Sequence, residues 1–143
     1  MTAVDLEFVD ANILVYAHDA HPAVRPERER ARQLLDRLWE TGTGRLSTQV
    51  LPEFYVTVTR KLRLPLRNAE AYEIVSQYSL WPVHSPTAAD VLAAIRLHHE
   101  SQLSYWDALI LVSAGRAHCK RLWSQDLKAG QTIQGVEVRN PLV

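Results

Sequence analysis

The chain has 143 residues, 47% of them hydrophobic, and its 16 basic residues are balanced by 16 acidic ones. That length and apolar content suit one globular domain with a real core, and an even charge without an acidic tail or basic arm nominates no partner. A single cysteine, Cys119, excludes an internal disulfide and fits a reducing cytoplasm, while the absence of a basic leader or of ~18 consecutive apolar residues predicts neither a secretory signal nor a membrane span.

The first predicted element is a short strand, "LEFV" at 6–9, which runs into Asp10 and then into the helical "ANILVYAH". "HPAVRPE" interrupts the chain. After it, "PERERARQLLDRLWETG" places Pro26 at a helix start, Leu34, Leu35 and Leu38 at helical spacing, and Gly42 or Gly44 at the stop. "GRLS" is a second short strand. In "TQVLPEFYVTVTRKL" Leu51, Phe54, Tyr55, Val58 and Leu62 form one helical stripe, with Pro52 in the first turn where its missing N–H matters little.

Past the basic stretch "RKLRLPLR", "NAEAYEIVSQYS" predicts a helix with Asn68 as its N-cap, and "WPVHSP" is a strand-sized break. "TAADVLAAIRLHHES" opens with Thr87 and Asp90 at capping-box spacing, and the next helix contains "LSYWDALILVSAG". "RLWS" and "VEVRN" are the last strands. Strands alternating with helices predict a layered α/β fold with a mainly parallel sheet, and with no repeat or linker the whole of residues 1–143 is expected to be one domain.

Four acids stand out against this scaffold. Asp107 lies in an apolar helix with Ile110 and Leu111 on its own face and no lysine or arginine between residues 97 and 115. Alone, it is best read as part of a cap with Ser104, yet an ionised carboxylate on an apolar face needs a partner from elsewhere. Asp10 and Asp126 each follow a strand, where open parallel sheets form their ligand crevice, and the alternative for Asp10 is a plain N-cap. Glu53 sits in a first helical turn, which favours glutamate in any case. Together the four carboxylates would repel one another unless a cation joined them, and oxygen-only ligands suit Mg²⁺, with Mn²⁺ as a substitute. The chemistry that follows is phosphodiester hydrolysis.

"FVDANILVYA", "STQVLPEFYV", "LSYWDALILVSA" and "LWSQDL", with the closing "VRNP", resemble the successive acidic motifs of PIN-domain proteins, in particular VapC-type toxins of bacterial toxin–antitoxin pairs. The resemblance spans nearly the whole chain, and its order and spacing are more specific than any single motif. It implies a PIN-like three-layer fold with a short, mainly parallel central sheet between helices. It also implies a cytoplasmic, Mg²⁺-dependent endoribonuclease, usually a homodimer, inhibited by a cognate antitoxin whose C-terminal segment fills the active-site groove. Transfer or ribosomal RNA loops are the substrates it suggests. Asp10, Glu53, Asp107 and Asp126 fall on the acidic positions, with Asp10, Asp107 and Asp126 as metal ligands, and Asn12 and Ser124 fall where polar helpers are common. Ala11 departs from the pattern, in which a hydroxyl residue is frequent.

Arg60, Lys61, Arg63 and Arg67 are candidate RNA contacts, weighed against the plainer expectation of a solvated basic turn. The adjacent His98 and His99 point to different helix faces and do not make a zinc pair. Trp39, Trp81, Trp106 and Trp123 are expected in the core or an interface rather than on RNA. Two competing functions remain: an aspartyl-phosphate hydrolase or receiver domain nucleophilic at Asp10, for which the second aspartate or the lysine is lacking, and a catalytically silent PIN-like module that binds RNA or protein.

Overall fold

A computed structural model describes residues 4–143. The N-terminal expectation of no leader therefore falls partly on residues 1–3, outside the described residues. The chain runs through β1 (Leu6–Val9), α1 (Ala11–His18), a 3-10 turn (Pro22–Val24), α2 (Arg25–Thr41), β2 (Gly44–Ser47), α3 (Val50–Arg60), α4 (Asn68–Tyr78) and β3 (Val83–His84). It continues through α5 (Ala88–Glu100), α6 (Tyr105–Arg116), β4 (Cys119–Trp123), β5 (Thr132–Ile133) and β6 (Val136–Arg139). The strands form one six-stranded sheet in the order β3-β2-β1-β4-β6-β5. All neighbours are parallel except β5 with β6. Helices flank this sheet, as the α/β reading predicts.

Local chemistry explains the boundaries. α2 starts with Pro26 in its first turn and stops at Gly42, whose φ of 70° is a left-handed cap with its N–H on the Leu38 carbonyl. At the start of β2, a side chain on Gly44 would meet the Trp81 ring at 2.4 Å, so only glycine lets that buried ring lie against the strand. Leu34, Leu35 and Leu38 of α2 are buried with Phe8, Ile13, Leu14, Phe54 and Val58, making one core between α1, α2, α3 and the sheet. α5 packs along α6, and the all-round burial of 108–114 makes α6 the most deeply embedded helix.

Two details differ from the expectation. Asn68 is the first helical residue of α4 and Arg67 is the cap, because the Glu70 carboxylate accepts the Arg67 backbone N–H. The strand β5 and its hairpin to β6 were not expected from the sequence. Gln134 (φ 51°) and Gly135 (φ 83°) form a two-residue turn of the primed kind that suits a tight antiparallel pair.

The buried carboxylates sort by their partners. Glu7 in β1 receives a fork from Arg37 at 2.8 and 2.9 Å, with Arg121 at 3.2 Å and the Trp123 Nε1–H at 3.0 Å. Burial alone would raise its pKa, but these donors hold it below the usual range. Asp90 at the start of α5 accepts from the Thr87 N–H and from Arg116, and lies 3.0 Å from His84. Its pKa falls to about 2, first through the Thr87 N–H bond. Asp10 is the third buried acid among the described residues, and it has no cation.

Candidate active site

Parallel β1 and β4 end side by side, with Val9 opposite Trp123, so the residues that follow them meet at one sheet edge. Asp10 follows β1. Its backbone N–H donates to the Trp123 carbonyl at 3.0 Å, Oδ1 accepts from the Ala11 N–H at 2.8 Å, and Oδ2 accepts from the Ser124 hydroxyl at 2.8 Å. It is therefore an N-cap and a convergent carboxylate at once. Ser124 is itself fixed by its N–H on the Arg139 carbonyl.

Asp126 lies in the exposed loop after β4. Asn12, the second residue of α1, donates from Nδ2 to Asp126 Oδ2 at 3.0 Å and accepts the Gln125 N–H on Oδ1 at 3.1 Å, so the first helix clamps the fourth acid's loop. Glu53 occupies the first turn of α3, and Gln49 Nε2 donates both to Glu53 Oε1 at 3.0 Å and to the Trp106 carbonyl at 3.3 Å. Gln49 thereby ties the start of α3 to the start of α6, which carries Asp107. The N-cap of α6 is Ser104, whose hydroxyl accepts the Asp107 N–H at 3.1 Å. The cap bond is made by the Asp107 backbone N–H, and the same hydroxyl also acts on the Asp107 carboxylate.

These charges act on one another. Burial, and then the nearby carboxylates of Glu53 and Asp126, push the Asp10 pKa up to about 7 against the lowering influence of Ser124 and the Ala11 N–H. Burial raises Asp107 as well, and the Asp126 charge adds to it, against the lowering influence of the Ser104 hydroxyl on its carboxylate. A cavity of about 990 Å³ opens here, and Asp10, Asn12, Gln49, Glu53 and Asp126 lie in its wall. Asp107 is not in that wall but lies beside it, next in sequence to the cavity-lining Trp106.

Among the described residues, no three His, Cys, Asp or Glu side chains are gathered as a ready-made metal cage. The donor set still fits a hard divalent ion that keeps most of its waters and takes only one or two carboxylates directly. Asp10 is a buried carboxylate without a cation, and Gln49 Oε1 is a buried acceptor without a partner. Both are of the kind that a hydrated cation satisfies.

The basic stretch divides. Lys61 lines the main cavity and, with Arg63, a smaller one of about 310 Å³ beside it. Arg60 lines neither, and Arg67 is held by Glu70 at 2.8 Å. Gln49 and Trp106 went unrecognised as site residues. Trp81 is buried as expected, but Trp106 is 61% exposed in the cavity wall, contrary to a core role. No periodicity signals Gln49, whose importance comes from a contact 57 positions away.

Among the described residues no helix is long and apolar enough to cross a membrane. No curated protein matches the chain. Among solved structures, it is similar to a toxin–antitoxin complex from Klebsiella pneumoniae, at 18% identity and TM-score 0.68 over 91% of this chain and 94% of the other. VapBC2 from Rickettsia felis, bound to a promoter DNA fragment, gives 18% identity and TM-score 0.67 over 94% and 98%. The sarcin–ricin-loop-cleaving toxin VapC20 of Mycobacterium tuberculosis gives 18% identity and TM-score 0.61 over 84% and 89%. At these identities the likeness is one of fold. The sequence itself matches the family model described as PIN domain over residues 8–132, and with the acidic motifs at its strand ends and helix starts, the chain belongs to the PIN domain family.

Proposed function

We propose that the acid-lined cavity is the centre of a divalent-metal-dependent endoribonuclease, a toxin held in check by a cognate antitoxin. The observation that carries this reading is Asp10, a buried carboxylate without an arginine, beside Glu53 and Asp126, in a chain that gives its other two buried acids arginine partners. Carboxylate repulsion kept at one spot costs stability, and such a cost is retained where a cation relieves it during function.

Asp10, Asp107 and Asp126 are assigned to the ion, Mg²⁺ or Mn²⁺, directly or through its waters. When bound, the ion supplies charge against the scissile phosphate and lowers the cost of deprotonating water. Ser124 and the Ala11 N–H fix both oxygens of Asp10, and Asn12 steadies Asp126. Glu53 is held by Gln49 through Oε1, and its other oxygen, Oε2, is assigned to take the proton from the attacking water. Lys61 and Arg63 are assigned to RNA phosphates away from the acids. Residues 1–143 are read as one domain, acting in the cytoplasm as a homodimer. Selective cleavage within RNA loops, and an antitoxin as partner, are supported by the toxins and complexes that share this fold.

A catalytically silent module that binds RNA or protein is the second reading, favoured by the absence of a ready-made three-ligand cluster among the described residues. Incubating purified protein with total RNA in Mg²⁺, Mn²⁺ or EDTA decides between them. Discrete, metal-dependent fragments that vanish with Asp10→Asn support the nuclease, whereas equal fragmentation by the variant, or none by either, refutes it.

A further inference from the structure

We propose that Trp106 is the platform on which an unpaired RNA base beside the cleaved phosphate stacks, so that the enzyme selects single-stranded RNA with a base at that position. This rests on the nuclease reading above and adds to it a residue that sets specificity.

Trp39, Tyr72 and Trp106 are the exposed aromatics among the described residues, at 42%, 67% and 61%, and of these only Trp106 lies in the wall of the acidic cavity. Trp81 is 7% exposed, and Trp39 is packed against Tyr78 and Trp81 at 6.1 and 5.3 Å between ring centres. Trp106 is 61% exposed, in the wall of the acidic cavity, at the first turn of α6 next to Asp107. Its ring is braced edge-to-face by Tyr105 at 5.1 Å, and its carbonyl is held by the amide that holds Glu53. An exposed indole anchored to the acids' own support is placed for a planar ligand. Tyr16, also in the wall, has its hydroxyl engaged by Gln125 and is half-buried, so the open aromatic surface belongs to Trp106.

The cavity also has a direction. Gln49, Pro52, Glu53, Val56, Thr57 and Lys61 line it at helical spacing, so it runs along one face of α3. Trp106 is tied to the Gln49 end. Lys61 lies eight residues beyond Glu53, roughly 12 Å at 1.5 Å per residue. The aromatic face and the carboxylates thus share the Gln49 end of the helix and the cation lies at the other, a layout that suits a base and the scissile phosphate together and a further phosphate of the same strand beyond them. Paired bases keep their faces inside the stack, so a duplex cannot use the platform.

The test measures binding of a short mixed-sequence single-stranded RNA, of the same RNA with one abasic nucleotide at each position in turn, and of its duplex. The cleavage-deficient Asp126→Asn protein is compared with the same protein carrying Trp106→Ala or Trp106→Phe, and wild-type cleavage is run alongside. Loss of a stacked base should weaken binding about 5- to 150-fold. The expected result is that loss for Trp106→Ala on intact RNA, recovery of most of it by Trp106→Phe, and no further loss when the base next to the cleavage point is removed. Duplex binding should be unchanged. If wild type cleaves RNA but Trp106→Ala binds as tightly as its parent, the platform is wrong and the nuclease reading stands. If Trp106→Ala loses equally on intact and all abasic RNAs, or instead changes the protein's oligomeric mass, Trp106 is a protein contact and the proposal is overturned. If wild type neither cleaves nor binds single-stranded RNA, the nuclease reading falls and takes this inference with it.

Discussion

Replacing Asp10 by asparagine removes a charge from the crowded site while keeping a side-chain oxygen for the Ala11 N–H. Asp10 titrates at about 7 in the fold against an ordinary 3.8. A carboxyl whose pKa is raised on folding contributes stability that is fully present below its unfolded pKa and is lost as pH rises through its folded pKa. The shift of about 3 units corresponds to ~4 kcal/mol in full, of which roughly 2–3 kcal/mol falls between pH 5 and pH 8. His18 works the other way. Burial, and then Arg32, lower it from 6.5 to about 4, so its contribution is present above 6.5 and lost as pH falls toward 4. The two slopes oppose each other between pH 5 and 6.5, and the wild-type curve alone is therefore uninformative. The difference between wild type and Asp10→Asn isolates Asp10. Urea unfolding in EDTA across pH 5 to 8 should show the variant gaining roughly 2–3 kcal/mol on wild type as pH rises. A stability difference that stays constant over that range would refute the claim that Asp10 is an uncompensated buried charge.

Four further outcomes follow from the same geometry. Asp107→Asn should leave apo stability unchanged or slightly higher, because Ser104 supplies the cap, while metal-dependent cleavage drops by orders of magnitude; Ser104→Ala should instead cost ~1 kcal/mol in unfolding. Saturating Mn²⁺ should raise wild-type stability by about 2.7 kcal/mol at 100 times its Kd, and thermal melts that coincide in Mn²⁺ and EDTA would count against the shared ion. Lys61→Ala should weaken binding to all RNA sequences alike and flatten the salt dependence of log K by roughly 0.7, whereas Arg67→Ala, already paired with Glu70, should do far less. Sedimentation at micromolar concentration should find a dimer, and a monomer at every concentration would contradict that assignment.

The alternation of strands and helices was legible because the core positions repeat with clear periods, as in Leu34, Leu35 and Leu38 of α2, and because proline and glycine punctuate α2. The strand-end placement of Asp10 and Asp126 followed from the same pattern. The β5–β6 hairpin was not legible, since two residues are too few for a period and the Gln134–Gly135 turn lacks the Asn-Gly or Asp-Gly signal. Long-range contacts were equally hidden. The Asn12 clamp on Asp126 joins residues 114 positions apart, and Arg37 and Arg121 neutralise a glutamate in β1 that reads as an ordinary strand residue. Asp107 illustrates both sides. Its apolar surroundings marked it in the sequence, but only the structure shows its backbone N–H completing the cap while its carboxylate feels burial, the Ser104 hydroxyl and Asp126.

That a divalent cation resolves the crowding of these acids is tested most directly by anomalous diffraction from crystals of the wild-type protein grown with Mn²⁺. The account predicts a manganese peak beside Asp10 in the cavity, with carboxylate oxygens of Asp10, Asp107 and Asp126 as direct or water-bridged ligands, and its loss in Asp10→Asn. Manganese found only elsewhere on the surface, at concentrations that support RNA cleavage, would contradict it.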